Sequence, residues 1–381
     1  MLALARTLWR KLRKMRFSYE PLIEVRISRE AILHNLAAFQ NFKMDMAVAP
    51  VLKANAYGHG LVEVAKVVDR EDVPFACVDS YFEALILRNE GFRAPILVVG
   101  YTPLENILGS RLERVAFGIL SADELYRLAK NARERVAIHL KIDTGMRRHG
   151  VTQGGIEEAI ALLKANPRLA LQGLYTHLAD ADTPGSAHAA RQIEEWNAAV
   201  ERFRAAIPGI AYFHCAATSG AALAKTIDAN VMRLGIGLYG FGTGEEPLPL
   251  RPALEMVTRI TSVRPLKKGE SVGYNAAFTA PRDMQIATIP AGYYEGVDRR
   301  LSNHGAVLTR DTPCPIVGRV SMNITSFDIS HLPGVGIGEE AVVISVDESA
   351  PNCVKAIAKT CETIPYEILV RIPAHLRRVV V

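Results

Sequence analysis

The string 53-KANAYGHG-60 sets a primary amine, Lys53, a few residues ahead of a phenol, Tyr57, and two glycines. A lysine withdrawn from water loses part of its charge and becomes a nucleophile that can condense with a carbonyl. Four later stretches carry complementary groups. Lys141, Arg148 and His149 crowd into 141-KIDTGMRRHG-150, and His177 lies at the end of the apolar run 171-LQGLYTHL-178, with Asp180 and Asp182 just beyond. Thr218, Ser219 and Gly220 set two hydroxyls beside a glycine, and 231-VMRLGIGL-238 places Arg233 ahead of Gly235, Ile236 and Gly237. Taken singly these are weak signals. A lysine at the end of an apolar run is ordinarily solvated, a histidine within one is ordinarily a satisfied core group, and a Ser-Gly pair is ordinarily a turn. Brought to one place they become specific. Backbone N–H groups at glycines approach a phosphate closely because no Cβ intervenes, and an activated amine beside such a cradle suits pyridoxal phosphate.

Whether these groups meet depends on the elements that carry them. From about residue 47, short β-rich runs alternate with longer amphipathic stretches. The runs are 48-VAPVLKA-54, 75-FACV-78, 95-PILVVG-100, 115-VAFGIL-120, 136-VAIHLKI-142, 171-LQGLYTHL-178, 211-AYFHCA-216 and 231-VMRLGIGL-238. Between them, 121-SADELYRLAKNA-132 opens with Ser121 and Glu124 at capping-box spacing. Eight strand–helix repeats predict a (β/α)8 barrel, whereas a doubly wound open sheet usually stops nearer five or six strands. A barrel carries its functional groups at the C-terminal ends of its strands and often builds a phosphate site after strands seven and eight. Lys53, His177, Ser219, Arg233 and Gly235 all stand at such ends.

The repeat stops at 240-GFGTGEEPLPLRP-252, a Gly/Pro/Glu-rich linker without periodicity. Beyond it come further β runs: 256-MVTRITSV-263, 285-QIATIPA-291, 306-AVLT-309, 315-PIVGRV-320, 324-ITSFDI-329 and 341-AVVISV-346. The turn 267-KKGE-270 joins two of them, and a late helix is expected over about 352–363. The predicted fold class is therefore α/β, a (β/α)8 TIM-like barrel followed by a separate C-terminal all-β domain. Residues 1–20 form a basic N-terminal extension, 21–245 the barrel and 246–381 the β domain. Residues 235–240 also match the dinucleotide pattern GxGxxG, but that pattern needs a helix directly after its glycines, and here a linker follows.

Composition narrows the function classes. Six of the 45 basic residues fall in residues 1–20 against the single acid Glu20, which leaves 39 basic and 39 acidic residues over 21–381. A nucleic-acid-binding protein should carry its basic excess on the folded body, so no nucleic-acid partner is expected. No apolar run is long enough to span a bilayer. In the tail, Leu4, Leu8, Leu12 and Met15 fall at helical spacing between the basic residues. A membrane-surface helix, a simple extension, and an upstream start with Met15 as the initiator all remain open. The five cysteines are an odd number, without CxxC or zinc-ligand spacing. Reduced thiols, a cytoplasmic location and no metal site are expected.

In its motifs and their order the chain resembles the alanine racemases, fold-type III pyridoxal-phosphate enzymes. The resemblance runs from about Ile23 to Arg378 and is carried by 23-IEVRISREAILHNL-36, 51-VLKANAYGHG-60, 139-HLKIDTGMRR-148, 173-GLYTHLADAD-182, 231-VMRLGIGLYG-240, 272-VGYNAAFTA-280, 318-GRVSMN-323 and 363-TIPYEILVRI-372. It implies that Lys53 holds pyridoxal 5'-phosphate covalently and serves as one catalytic base, with Tyr274 as the opposite base. It further implies that Tyr57, Ser219, Gly235, Ile236 and Tyr366 hold the phosphate, and that Arg233 faces the pyridine nitrogen with His177 supporting it from behind. Arg148 orients Tyr274 and the substrate carboxylate, Met322 offers that carboxylate a backbone N–H, and Lys141 matches a lysine often carbamylated in the family. Tyr293, Asp182, Arg299 and Arg319 match positions near the substrate entrance.

The chemistry agrees with such roles. Racemisation takes the α-proton from one face and returns one to the other, so two groups must flank the reacting carbon. Lysine and tyrosine both have reference pKa values of about 10, which explains a need for clustered cations. The expected function is the interconversion of L- and D-alanine, supplying D-alanine for peptidoglycan, in a homodimer whose sites each take Tyr274 from the partner subunit. The alternative is a broad-specificity racemase or another fold-type III enzyme. The chain also departs from the family pattern. Asn323 stands where aspartate is common, 292-GYYEG-296 replaces GYADG, His149 replaces a leucine, and 214-HCAATSG-220 is one residue off the commonest form.

Overall fold

The computed structural model describes residues 20–42, 45–69, 73–221, 223, 226–242 and 248–381. Apart from Glu20, the basic stretch read over residues 1–20 lies outside the described residues, as does part of the linker. By contacts the chain divides into two compact units. One comprises residues 1–25, 256–343 and 375–377, and the other residues 26–255, 344–374 and 378–381.

The strands, in chain order, begin with β1 (Ile23–Ile27) and β2 (Ala47–Pro50). There follow β3 (Ala76–Val78), β4 (Ile96–Val98), β5 (Val115–Ile119), β6 (Val136–Lys141), β7 (Leu169–Tyr175), β8 (Tyr212–His214) and β9 (Val231–Leu234). Strands β3 to β8 pair in parallel in sequence order, and β2 pairs in parallel with β9. Two joins close the ring. Leu52 N–H donates to the Cys77 carbonyl at 2.7 Å beside a parallel bridge between Val51 and Cys77, and the N–H groups of Asn230 and Arg233 donate to Phe213 and Ala216 at 3.0 Å each. The eight predicted runs thus become a closed parallel barrel. Its strands are buried on both faces, as the uninterrupted apolar runs required.

Helices seal the outside of the barrel. Ser80 caps Tyr81–Asn89 through a capping box with Glu83. At the predicted box on Ser121, the serine accepts from Glu124 N–H at 3.1 Å, but the Glu124 carboxylate turns back one residue further and accepts from Leu120 N–H at 2.7 Å. The helix Ala187–Ala206 buries Trp196 and Phe203 against the barrel wall.

In the other unit, β11 (Ser262–Leu266) follows β10 (Leu254–Arg259), so the single run read over 256–263 is two strands broken at Ile260 and Thr261. The turn 267–270 leads to β12 (Ser271–Val272), which pairs with β13 (Phe278–Thr279). Strand β14 (Met284–Ile289) lies between β11 and β17 (Thr325–Asp328), all antiparallel. The hairpin of β15 (Ala306–Thr309) and β16 (Thr312–Pro315) joins β18 (Glu340–Ile344) through Leu308 and Val342. The run expected over 315–320 ends at Pro315, because Gly318 takes φ +79°. A small core of Leu266, Val272, Ala280, Met284, Ile286 and Val317 lies within this unit.

The late helix appears as Val354–Thr360, followed by a helix that sequence periodicity missed, Pro365–Val370. Six residues are too few to show a helical period. Both helices group with the barrel, which puts Tyr366 in the same unit as Lys53.

Asn35, fully buried on the helix Arg29–Phe42, pins the end of the barrel chain. Its amide donates to the Leu238 and Arg251 carbonyls at 3.1 and 2.8 Å, and its oxygen accepts from Arg251 N–H at 2.8 Å. Asn35→Ala should cost about 2 kcal/mol, since it leaves the buried Leu238 carbonyl and two part-buried backbone groups of Arg251 without this partner. Urea unfolding measures this directly.

Candidate active site

Lys53 begins just past the end of β2, but the backbone does not continue as the extended run suggested. Ala54, Asn55, Ala56 and Tyr57 all take left-handed conformations, with φ of 55°, 55°, 52° and 51°. Left-handed residues with a Cβ cost roughly 1 kcal/mol or more each, so such a turn persists only where its surroundings over-determine it. Here they do. Asn55 accepts from Leu61 N–H through its side chain at 2.9 Å and from Gly60 N–H through its carbonyl at 2.9 Å. The Arg378 guanidinium donates twice to the Gly58 carbonyl, at 3.0 and 2.7 Å. The turn swings Tyr57 back toward the start of the barrel's last loop. A Cβ on Gly235 would sit 2.8 Å from the Tyr57 hydroxyl, so only glycine leaves room there.

Lys53 and Tyr57 open onto a cavity of about 740 Å³. Lys141, Arg148, His149, His177, Asp182, Thr218, Ser219, Arg233, Gly235, Ile236 and Tyr366 also line it. Ten of the sequence-predicted site residues are therefore brought together: Lys53, Tyr57, Lys141, Arg148, His177, Ser219, Arg233, Gly235, Ile236 and Tyr366. Tyr274 and Met322 belong to the other unit, where both are exposed, at 68% and 55%.

Arg233 carries a charge deep in the barrel mouth. It is buried and donates to the carbonyls of His214 at 2.5 Å, Thr176 at 2.6 Å and Cys215 at 3.1 Å. Its Nη1 also lies 2.9 Å from His214 Nδ1, while Nη2 reaches His177 Nδ1 only at 3.5 Å. The imidazole that holds Arg233 is thus His214, and His177 stands at the outer limit of a hydrogen bond. A guanidinium has only donors, so His214 Nδ1 must accept. Its proton then sits on Nε2, which points at His139 Nδ1 2.7 Å away. The result is a proton-ordered chain of two neutral imidazoles behind the arginine.

Neither His139 nor His214 was singled out from the sequence. Both sit at strand positions where a buried histidine looks like core. Their shared signal is that each falls on a barrel strand flanking β7, so that Tyr175 stacks flat on His214, with ring centroids 5.2 Å apart.

The electrostatics follow from burial under one concentrated positive charge. Burial, then Arg233, holds His139 at about 3; burial, then Arg233, Lys141 and Arg148, holds His177 at about 3. Burial and the same arginine push His214 well below the usual histidine range. Lys141 is drawn down to about 8 by burial and then by Arg148 and Arg233, so an appreciable fraction is unprotonated near neutral pH. Burial pushes Tyr366 up to about 12, keeping its phenol protonated as a donor. At the other wall, Ile236–Tyr239 forms a single 3-10 turn that starts at Gly235, and Thr218 accepts from Gly237 N–H at 3.2 Å. The first N–H groups of such a turn have no acceptor within it. With the hydroxyls of Tyr57, Ser219 and Tyr366 they make a cradle for an anion. Among the described residues, no α-helix directly follows the glycines of 235–240.

A closed parallel barrel that gathers a lysine amine, a buried arginine and anion-binding donors at one mouth defines an α/β barrel that carries the groups needed for amine chemistry on a small anionic ligand. Comparison with known proteins is specific. The model of the alanine racemase N-terminal domain matches residues 27–242, and that of the C-terminal domain matches 253–380. The alanine racemase of Desulfosudis oleivorans is 32% identical over 371 residues, covering 93% of this chain and 95% of its own. Among solved structures, alanine racemase of Clostridium difficile 630 superposes with a TM-score of 0.88 at 29% identity, covering 96% of this chain and 97% of its own. The Bacillus anthracis enzyme with bound L-Ala-P gives 0.87 at 27% identity, covering 96% of each chain. The chain belongs to the alanine racemase family, a family of isomerases. Among the described residues, no helix is long and apolar enough to cross a membrane.

Buried neutral histidines make stability depend on pH. His59, His139 and His177 are held at about 3, and His214 is also lowered, against the ordinary histidine value of 6.5. The unfolded chain therefore binds more protons below about 6.5, and the stability present above that pH is lost as pH falls toward 3. Each histidine contributes a slope of up to about 1.4 kcal/mol per pH unit. Urea midpoints measured from pH 7 to 5 should drop steeply, and a flat profile would contradict the buried neutral chain.

Proposed function

We propose that this chain interconverts L- and D-alanine with pyridoxal 5'-phosphate held on Lys53. The observation that carries the reading is the meeting of Lys53, Arg233 and the Tyr57–Gly235 cradle in one cavity. The residues fit the group. Tyr57, Ser219, Tyr366 and the N–H groups of Gly235 and Ile236 would hold its phosphate, Lys53 would anchor it, and Arg233 would face its ring nitrogen. When bound, pyridoxal phosphate supplies an electron-withdrawing ring that acidifies the α-hydrogen of the amino acid.

The chain's own groups do the rest. Arg148 and Met322 N–H orient the substrate carboxylate. The Lys53 amine removes or returns the α-proton on one face, and the Tyr274 phenol does so on the other. Arg233 is held by three backbone carbonyls and, as a guanidinium, does not give up its proton, so it would leave the ring nitrogen it faces unprotonated and restrain side reactions. His177 and the His214–His139 pair support that arginine. Lys141 is a candidate for carbamylation, a reading supported by its lowered pKa, because carbon dioxide adds to the neutral amine.

We further propose a homodimer in which Tyr274 and Met322 complete the site of the partner subunit; their exposure supports this. A cytoplasmic location is supported by an odd number of cysteines, all buried and without CxxC spacing, and the product D-alanine suits peptidoglycan synthesis. The division into residues 21–245 and 246–381 is supported by two family models that meet between 242 and 253. A broad-specificity racemase is the second reading, favoured by His149 lining the cavity in place of a leucine. Circular dichroism with L-alanine, L-serine and L-lysine separates the two.

Borohydride reduction of the cofactor-loaded enzyme followed by peptide mapping should label Lys53, and label on Lys141 instead would overturn the site. Shared sites predict complementation. Inactive Lys53→Ala and Tyr274→Phe, mixed so that subunits exchange, should regain activity up to about a quarter of the unsubstituted enzyme, because each heterodimer keeps one intact site. Exchange without recovery would place both residues of a site in one chain.

A further inference from the structure

Glu295 and Asn323, two of the places where the chain departs from the family pattern, touch each other. Glu295 is buried; its Oε1 accepts from Asn323 Nδ2 at 2.6 Å and its Oε2 from Gly292 N–H at 2.8 Å. The backbone completes the join. Tyr293 N–H donates to the Ser321 carbonyl at 3.0 Å, and Tyr294 N–H to the Met322 carbonyl at 2.9 Å. The two segments run so close that a Cβ on Gly292 would stand 2.2 Å from the Ser321 oxygen. The turn at 292–296 is thereby sewn to the turn at 321–323. Tyr293 and Met322 stay exposed beside the seam, at 44% and 55%. Among the described residues, Met322 N–H has no acceptor.

The seam needs one acid and one amide. Two carboxylates 2.6 Å apart cannot both be ionised, so an aspartate at 323 facing Glu295 would push the turns apart. A shorter aspartate at 295 lacks the methylene that carries the carboxylate to Asn323 across this backbone separation. In this chain the acid at 295 and the amide at 323 match each other.

We propose that Glu295 and Asn323 form a single positioning pair that fixes the 321–323 turn so that Met322 presents its N–H to the substrate carboxylate. This rests on the role given to Met322 above. The pair touches no reacting atom and acts through that turn.

The test compares Asn323→Asp, Glu295→Gln and the double variant as full-length, cofactor-loaded enzymes. Readouts are kcat and KM for L-alanine and the inhibition constant of acetate, a carboxylate without an amine. Asn323→Asp should raise both KM and the acetate constant roughly tenfold, with kcat changed less than about twofold. Adding Glu295→Gln should restore both constants, because acid and amide have exchanged sides and the glutamine oxygen still accepts from Gly292. If the double variant binds no better than Asn323→Asp, or Asn323→Asp leaves both constants unchanged, while acetate still competes with alanine, the pair does not position the turn. If acetate fails to compete in the unsubstituted enzyme, the carboxylate role of Met322 falls first, and the proposal with it.

Discussion

A buried guanidinium without a carboxylate is the constraint around which the barrel mouth is arranged. Among the described residues no acid pairs with Arg233, and carbonyls at the ends of β7 and β8 accept its hydrogen bonds instead. Burying an unpaired charge costs several kcal/mol unless dipoles replace the lost water. A closed parallel barrel provides such dipoles, because strand ends converge with their carbonyls on one rim. Once Arg233 is held there as a pure donor, His214 has no choice of tautomer, His139 follows it, and both imidazoles stay neutral. The same charge adds to burial in drawing Lys141 down to about 8. A carboxylate in place of either histidine would neutralise the arginine and remove the field that the other groups experience.

The second constraint is conformational. Four successive left-handed residues after Lys53 are an unfavourable local choice, and the surrounding molecule supplies what holds them. Asn55 closes the turn on itself, while Arg378 reaches Gly58 from the far end of the chain. The return is geometric. In an extended continuation successive side chains would alternate between the two faces of the barrel wall. In the left-handed turn the Tyr57 hydroxyl comes to the space that Gly235 leaves open, which ties the segment carrying the amine to the cradle. The two constraints meet in the cavity, where a concentrated positive potential faces a cradle for an anion.

The barrel itself was legible because each of its strands is an apolar run bounded by turn residues, and eight such runs in alternation with amphipathic stretches admit few folds. Lys53, Arg233 and the glycines after it were legible because strand ends are where a barrel displays its chemistry. The resemblance of motifs supplied the roles of Tyr274 and Met322, which no periodicity could provide. Boundaries were less legible. The run through Lys53 looked extended since Val, Leu and Ala say nothing about the sign of φ, and the helix Pro365–Val370 was too short to show a period.

The amino-acid sequence by itself therefore determined the architecture, the identity of the amine and arginine, and the family. These rest on residue type and on spacing along the chain, which are local quantities. Only the tertiary structure decided which imidazole holds Arg233, since His177, His214 and His139 are indistinguishable as residues and differ only in the distances that closure of the barrel sets. For Tyr366, more than three hundred residues after Lys53, the resemblance of motifs implied a shared site, and the tertiary structure brings it to the same cavity. Likewise, Glu295 and Asn323 read as two unrelated departures until the seam between their turns put an acid against an amide. Each of these depends on contacts between residues far apart in the chain, and a linear pattern carries no record of such distances.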